Sequence, residues 1–293
     1  MSPDASALAL GSLPVEPDVR SLPAAALALA RVAAAGALLA PAALGAHLAG
    51  AAACAWLELD AAARCLAELG ITERPRALVR LGGGRSNAVY RVELAGRALV
   101  LKRALPAGTL LAFAARWVGP QPFARDVSAA ARITREAHAL STLAAAGVRV
   151  PCLVAASARA GLLLVEHVAG EPLPATLARP GAADRIAAYA HALRAAHRAG
   201  VTLTDGHPGN ALVSSAGDVT LIDLEFAEHA ADLGEPAFAA RCAFDLAYAA
   251  AYFTPPERAW FLAAAARPRA ADPRIDELEV LFALERRRQR RAA

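Results

Sequence analysis

The segment Asp205-Gly206-His207-Pro208-Gly209-Asn210 constrains this chain more than any other. Asn210 follows Asp205 by five residues, and Asp223 follows Asn210 by thirteen, beyond two short apolar runs at Ala211 to Val213 and Val219 to Ile222. Ser215-Ala216-Gly217-Asp218 has the residues of a turn, so the runs read as a hairpin that brings Asp223 back toward Asp205 and Asn210. Two carboxylates and an amide then converge. Phosphoryl transfer requires such a set, with one carboxylate near an acceptor hydroxyl and oxygen ligands for a hard Mg²⁺ ion. Asp-Gly and Pro-Gly also mark ordinary turns. By itself the segment therefore leaves open a plain connection between helix and hairpin, with Asp223 as a strand-end cap.

Upstream, the chain switches to strand chemistry at Ala77: ALVRL, a glycine cluster, AVYRVEL, the turn Ala95-Gly96-Arg97, and ALVLK. The cluster Gly82-Gly83-Gly84 sits between two strands, where a flexible backbone can close over phosphates and donate amide hydrogens, although a hairpin loop would look the same. Lys102 ends the third strand. A helix is expected over Ala129 to Ala145 with Glu136 inside it and Gly147 closing it, and Gly161 to Val165 reads as a buried strand leading into Glu166, His167 and Val168. The rest is mainly helical, as in Asp184 to Ala199. A β-rich first half joined to an α-rich second half predicts an α+β chain of two lobes with a cleft between them.

Composition narrows the setting. The 293 residues are 57% hydrophobic, enough for a sizeable core, but much of that is alanine, which favours helix and buries little area. The net charge of +4 comes with an arginine run, Arg286 to Arg288, Arg290 and Arg291; it suits a solvated helix end, and no nucleic-acid partner is expected. Cys54, Cys65, Cys152 and Cys242 lack zinc or disulfide spacing, which fits a reducing cytoplasm. Residues 1 to 22 read as a loose leader. Val32 to Trp56 carries no formal charge and is long enough to cross a bilayer, but it is mostly Ala and Gly and is broken by Pro41. A soluble helical pair is the favoured reading, with membrane association through 32–56 left open.

The loop and its following Asp resemble the catalytic loop and metal-binding Asp of the protein-kinase-like superfamily, in the style of the aminoglycoside phosphotransferase and lipopolysaccharide or Kdo kinase branches, which favour D-x-H-x-x-N. Gly82 to Tyr90 resembles the GG-x-x-N-x-v-y loop of the aminoglycoside and choline kinase groups, and Arg135-Glu136-Ala137-His138-Ala139-Leu140 with Gly147 to Pro151 resembles the helix-to-strand pattern of small-molecule kinases. The resemblance spans about residues 78 to 250. It implies a two-lobed protein-kinase-like fold, with an Ala-rich helical extension and leader over 1–76, a β-rich N-lobe over 77–168 and an α-helical C-lobe with a basic tail over 169–293.

The resemblance also implies ATP and Mg²⁺ as cofactors. Asp205 would orient the acceptor hydroxyl or take its proton, and Asn210 and Asp223 would hold magnesium. Gly82, Gly83 and Gly84 would cover the phosphates, Lys102 would contact them with Glu136 as its partner, and Glu166 and Val168 would meet adenine through their backbone. Asp126 is the acidic alternative to Glu136, and Asp245 would support the catalytic loop. Two departures stand out: Leu203-Thr204 replace the usual His-Gly or His-Arg before Asp205, and Leu224-Glu225 replace Phe-Gly after Asp223. The first puts the bracing of Asp205 in doubt.

The expected activity is transfer of the γ-phosphoryl group of ATP to a hydroxyl of a small molecule or glycan. An atypical serine/threonine protein kinase with a protein acceptor, a nucleotide-binding pseudokinase, and the membrane-associated kinase-like family that handles quinone lipid remain as alternatives.

Overall fold

The computed structural model describes residues 57–82, 87–105 and 126–266. The leader, residues 32–56, residues 106–125, Gly83, Gly84 and the arginine-rich tail lie outside the described residues.

A five-stranded antiparallel sheet forms the first lobe, in the order β1-β2-β3-β5-β4. Its strands are β1 (Ala77–Gly82), β2 (Asn87–Glu93), β3 (Ala98–Ala104), β4 (Leu153–Ser157) and β5 (Leu162–Glu166). Strand alternation divides β3 by function, because successive side chains point to opposite faces. Leu99 and Leu101 pack into one apolar cluster with Val92, Leu162 and Leu164, while Lys102 lies in register with Val89 and Leu163 and lines the cleft. Helix α1 (Leu59–Glu68) covers the first face and inserts the fully buried Leu66 into that cluster.

Helix α2 (Ala129–Ala145) occupies the span expected from the sequence, and Ser128 caps it by accepting the Ala131 N–H at 3.2 Å. Its buried residues Arg132, Glu136, Ala139, Leu140 and Leu143 recur at helical spacing. Two charged side chains one turn apart are thereby carried into the interior with the apolar ones.

After β5 the chain enters the helical lobe through β6 (Glu171–Pro172) and the short α3 (Leu173–Thr176). Gly170 is packed there so closely that a Cβ would lie 3.0 Å from the Val213 carbonyl oxygen. Helix α4 (Ala182–Arg198) starts two residues earlier than expected, just after Gly181 turns the chain at φ +80°. Next come β7 (Val201–Thr202), the loop that carries Asp205 with its 3-10 turn Pro208–Asn210, and the hairpin β8 (Ala211–Val213) and β9 (Val219–Leu221). β6 pairs with β8 in a three-stranded sheet. Strand β10 (Glu228–His229), which pairs with β7, is followed by α5 (Ala230–Leu233), α6 (Glu235–Tyr252) and α7 (Pro255–Ala265). The main core joins α2 residues Ile133, Leu140 and Leu143 to Ile186, Leu193, Leu221, Leu246 and Phe261, so the lobes share apolar contacts behind the cleft. Among the described residues, no helix is long and apolar enough to cross a membrane.

Leu66→Ala removes the buried anchor of α1. It is expected to cost about 2–5 kcal/mol, read as a lower urea midpoint with an unchanged slope.

Candidate active site

The cleft between the lobes encloses a cavity of about 440 Å³, large enough for a nucleobase and its sugar. Its walls are apolar: Leu81, Val89 and Val100 from the sheet, Leu163 and Val165 at the back, and Leu212 and Ile222 from the hairpin. Lys102, Glu136 and Asp223 stand among these groups.

The fold brings Lys102 and Glu136 together. The Lys102 ammonium is buried, donates to Glu136 Oε2 at 2.7 Å and forms a second, short ion pair with Asp223 Oδ1. Burial alone would draw the Lys102 proton affinity down, but the charges of Asp223, Glu136 and Glu225 outweigh it and hold the group above its ordinary range. Burial pushes the Glu136 carboxyl up, against the pull of Lys102. Asp126, the alternative partner, instead accepts the Ser128 N–H at 2.8 Å near the start of α2.

Asp223 arrives by way of the hairpin. The Ile222 N–H donates to the Asn210 carbonyl at 2.9 Å, tying the strand end to the loop, and Asp223 itself adopts φ +59°. In turn, the Asn210 side-chain amide donates to the Asp205 carbonyl oxygen at 2.9 Å. Asp205, Asn210 and Asp223 therefore form one connected unit. The Asp205 carboxyl is pushed up to about 7, first by burial and then by the charge of Asp223.

Helix α6 answers the question of bracing. Fully buried Asp245 accepts the N–H groups of Leu203 at 2.7 Å and Thr204 at 2.8 Å, and it contacts His197 Nε2 at 3.0 Å. The N–H groups that precede Asp205 are thus held by a carboxylate from outside the loop. Thr204 takes φ +61°, a conformation that costs a β-branched residue about 1–2 kcal/mol and that glycine adopts freely. The Asp245 contacts hold it there. Tyr189 from α4 donates a short hydrogen bond to the Gly206 carbonyl. Burial lowers the proton affinity of His207, and its Nδ1 accepts the Gly209 N–H at 2.9 Å. That ring fills the space where a Gly209 side chain would go, with a Cβ only 2.5 Å from His207 Cε1.

Sequence reasoning missed a second buried network. Arg132, with no exposed surface, donates to Glu225 Oε2 at 2.8 Å, to Asn87 Oδ1 at 3.3 Å and to the Leu105 carbonyl at 3.3 Å. Asn87 Nδ2 donates to the same Glu225 oxygen at 2.8 Å. Glu225, which appears in the sequence only as a departure from Phe-Gly, thus links β2, α2 and the segment after Asp223. The signal was a Glu two residues beyond a metal-type Asp, together with an Arg one turn before Glu136.

At the lobe junction the Glu166 N–H donates to the Cys152 carbonyl at 2.9 Å and the His167 N–H to the Ala98 carbonyl at 3.3 Å. The Val168 N–H makes no backbone hydrogen bond among the described residues. Glu166 and Val168 both line the cleft. Gly82 ends β1, and the structure does not describe Gly83 or Gly84.

The oxygen-rich chemistry of this set fits a divalent cation. Carboxylate oxygens of Glu136, Asp223 and Glu225 lie within 4.8 Å of one another. Glu136 is engaged by Lys102 and Glu225 by Arg132; Asp223 also pairs with Lys102, but its side chain is 39% exposed to the cleft. With the amide of Asn210, it is the group best disposed to hold a metal.

A β-rich lobe, an α-rich lobe and a charged cluster at their junction define the protein-kinase-like fold. Residues 77–202 match the sequence profile of the phosphotransferase enzyme family (APH). Two solved structures are similar to the chain. One is the erythromycin complex of Rv3197 from Mycobacterium tuberculosis, 21% identical with a TM-score of 0.44, covering 70% of this chain and 60% of that one. The other is the ADP/Mg²⁺-phosphoaspartate complex of Rio2 kinase from Chaetomium thermophilum, 16% identical with a TM-score of 0.49, covering 80% and 77%. The chain thus spans less than two thirds of the Rv3197 chain. No curated protein matches it.

Arg132→Met leaves Glu225 buried without its cation and is expected to cost about 3–5 kcal/mol. Adding Glu225→Leu should recover part of that loss, so the double variant unfolds at higher denaturant than the single one; a double-mutant cycle on urea midpoints reads the coupling.

Proposed function

We propose that this chain is an ATP-dependent phosphotransferase that moves the γ-phosphoryl group to a hydroxyl of a small molecule or glycan. The observation that carries the reading is the meeting of Lys102, Glu136 and Asp223 in an apolar cleft, with Asp223 tied through Asn210 to Asp205.

In this reading the apolar walls take the adenine ring, and the backbone at Glu166 and Val168 reads its edge. Lys102 neutralises the α- and β-phosphates, and Glu136 holds Lys102 in place. Asn210 and Asp223 would hold magnesium, which would neutralise phosphate charge. Asp205 orients the acceptor hydroxyl and takes its proton as the oxygen bonds to the γ-phosphorus. The bond from that phosphorus to the β–γ bridging oxygen breaks, and ADP leaves with the electron pair. The catalytic loop and the Asp205 carboxylate stay in place throughout, so the protein contributes position and charge and forms no covalent bond itself.

The segment between Asp223 and α6 runs only from Leu224 to Gly234 and folds at once into β10 and α5. So short a connection offers no extended groove for a peptide, which supports a compact acceptor over a protein. The match to the phosphotransferase family over 77–202 supports the reaction class.

The test is Mg²⁺-dependent ATP turnover by the purified protein across aminoglycosides, sugars, lipid glycans and generic protein acceptors. Asp205→Ala is expected to cut acceptor-stimulated turnover by at least 10²-fold while nucleotide affinity stays near that of the wild type. Asp223→Ala should lose turnover and also weaken Mg²⁺-dependent ATP binding. Equal activity in the wild type and both variants would refute the assignment.

A further inference from the structure

Helix α6 presents one face to the catalytic loop. Asp245, Tyr248 and Tyr252 stand at positions i, i+3 and i+7, the spacing that aligns side chains along a helix. Each meets a different part of the loop. Asp245 accepts the N–H groups of Leu203 and Thr204, Tyr252 stacks on His207 with ring centroids 5.9 Å apart, and the Tyr248 hydroxyl donates to Asp205 Oδ1 at 3.1 Å.

We infer that Tyr248 is a positioning residue for the transfer, fixing the Asp205 carboxylate so that Oδ1 is taken by the phenol and Oδ2 is the oxygen offered to the acceptor. This inference rests on the phosphotransferase reading above. A carboxylate on a two-torsion side chain can exchange its oxygens by rotation, and a hydrogen bond to one of them removes that freedom. The donor is itself immobile. Tyr248 is 4% exposed, and its ring stacks on Phe244 with centroids 5.7 Å apart and planes 18° from parallel. Its helix is pinned to the same loop one turn earlier by Asp245. In the reaction the acceptor proton passes to Oδ2 as the oxygen–phosphorus bond forms, and the Tyr248 proton stays on its phenol. Tyr248 touches neither substrate nor phosphate; it acts through Asp205.

The arrangement accounts for a loop without the His-Gly or His-Arg that usually precedes the catalytic Asp. Asp245 fixes the backbone before Asp205, and Tyr248 fixes its side chain. Both come from one rigid helix rather than from the loop.

Tyr248→Phe keeps the ring and its stacking and removes only the hydroxyl. With the full chain and the acceptor that best stimulates turnover, kcat should fall about tenfold, the effect of losing one hydrogen bond to a charged group. The KM for ATP and the thermal midpoint should stay at wild-type values. In an Asp205→Ala background the Phe substitution should have no further effect, because the group it positions is gone. Wild-type kcat in Tyr248→Phe, or a fall in kcat matched by a lower thermal midpoint, would overturn the positioning role while wild-type turnover still depended on Asp205. Turnover that is indifferent to Asp205→Ala would remove the phosphotransferase reading and this inference with it.

Discussion

The structure depends on one buried cation. Lys102 leaves water within β3, and that loss is offset because α2 supplies Glu136 and the hairpin supplies Asp223. Each partner comes from a different part of the fold, so the ammonium couples the sheet, the helix and the second lobe. Without both carboxylates the ammonium would stand unpaired in an apolar cleft. Lys102 and Arg132 face the carboxyl groups of Glu136, Asp223 and Glu225, and the Arg135 guanidinium donates to the Glu225 carbonyl at 3.2 Å.

Two further sets of interactions support this centre. The Arg132, Glu225 and Asn87 network lies behind it, closing β2 against α2 and against the segment that follows Asp223. Below it, α6 and α4 hold the Asp205 loop through Asp245, Tyr248 and Tyr189. Both supports are largely buried, and both use polar groups with partners fixed by regular secondary structure. This is how a loop rich in Gly and Pro, with Thr204 at a left-handed φ, keeps one conformation.

Much of the architecture was legible because the signals were local. The alternation in ALVLK put Lys102 on the face opposite Leu99 and Leu101, and the helical spacing from Ala129 to Ala145 carried Glu136 to the same side. The turn at Ser215 to Asp218 returned Asp223 to the loop, as its residue types predicted. The supporting network was not legible, because its members are far apart in sequence: Asn87 and Glu225 are 138 residues apart, and Arg132 and Glu225 are 93 apart. Arginine on a helix ordinarily reads as a solvated face, and its place one turn before Glu136 was the one local sign that Arg132 is fully buried. Tyr248 was likewise hidden within an apolar helix, where an aromatic residue reads as core.

The most direct test of the central claim is calorimetric titration of Mg²⁺-ATP into the full chain and into Lys102→Met, whose side chain is similar in length but uncharged. The account predicts saturable binding to the wild type that requires Mg²⁺, and at least tenfold weaker binding to a variant whose far-ultraviolet dichroism remains native, consistent with the loss of about 1.4 kcal/mol or more. Equal affinity in the two proteins, or wild-type binding indifferent to Mg²⁺, would contradict it.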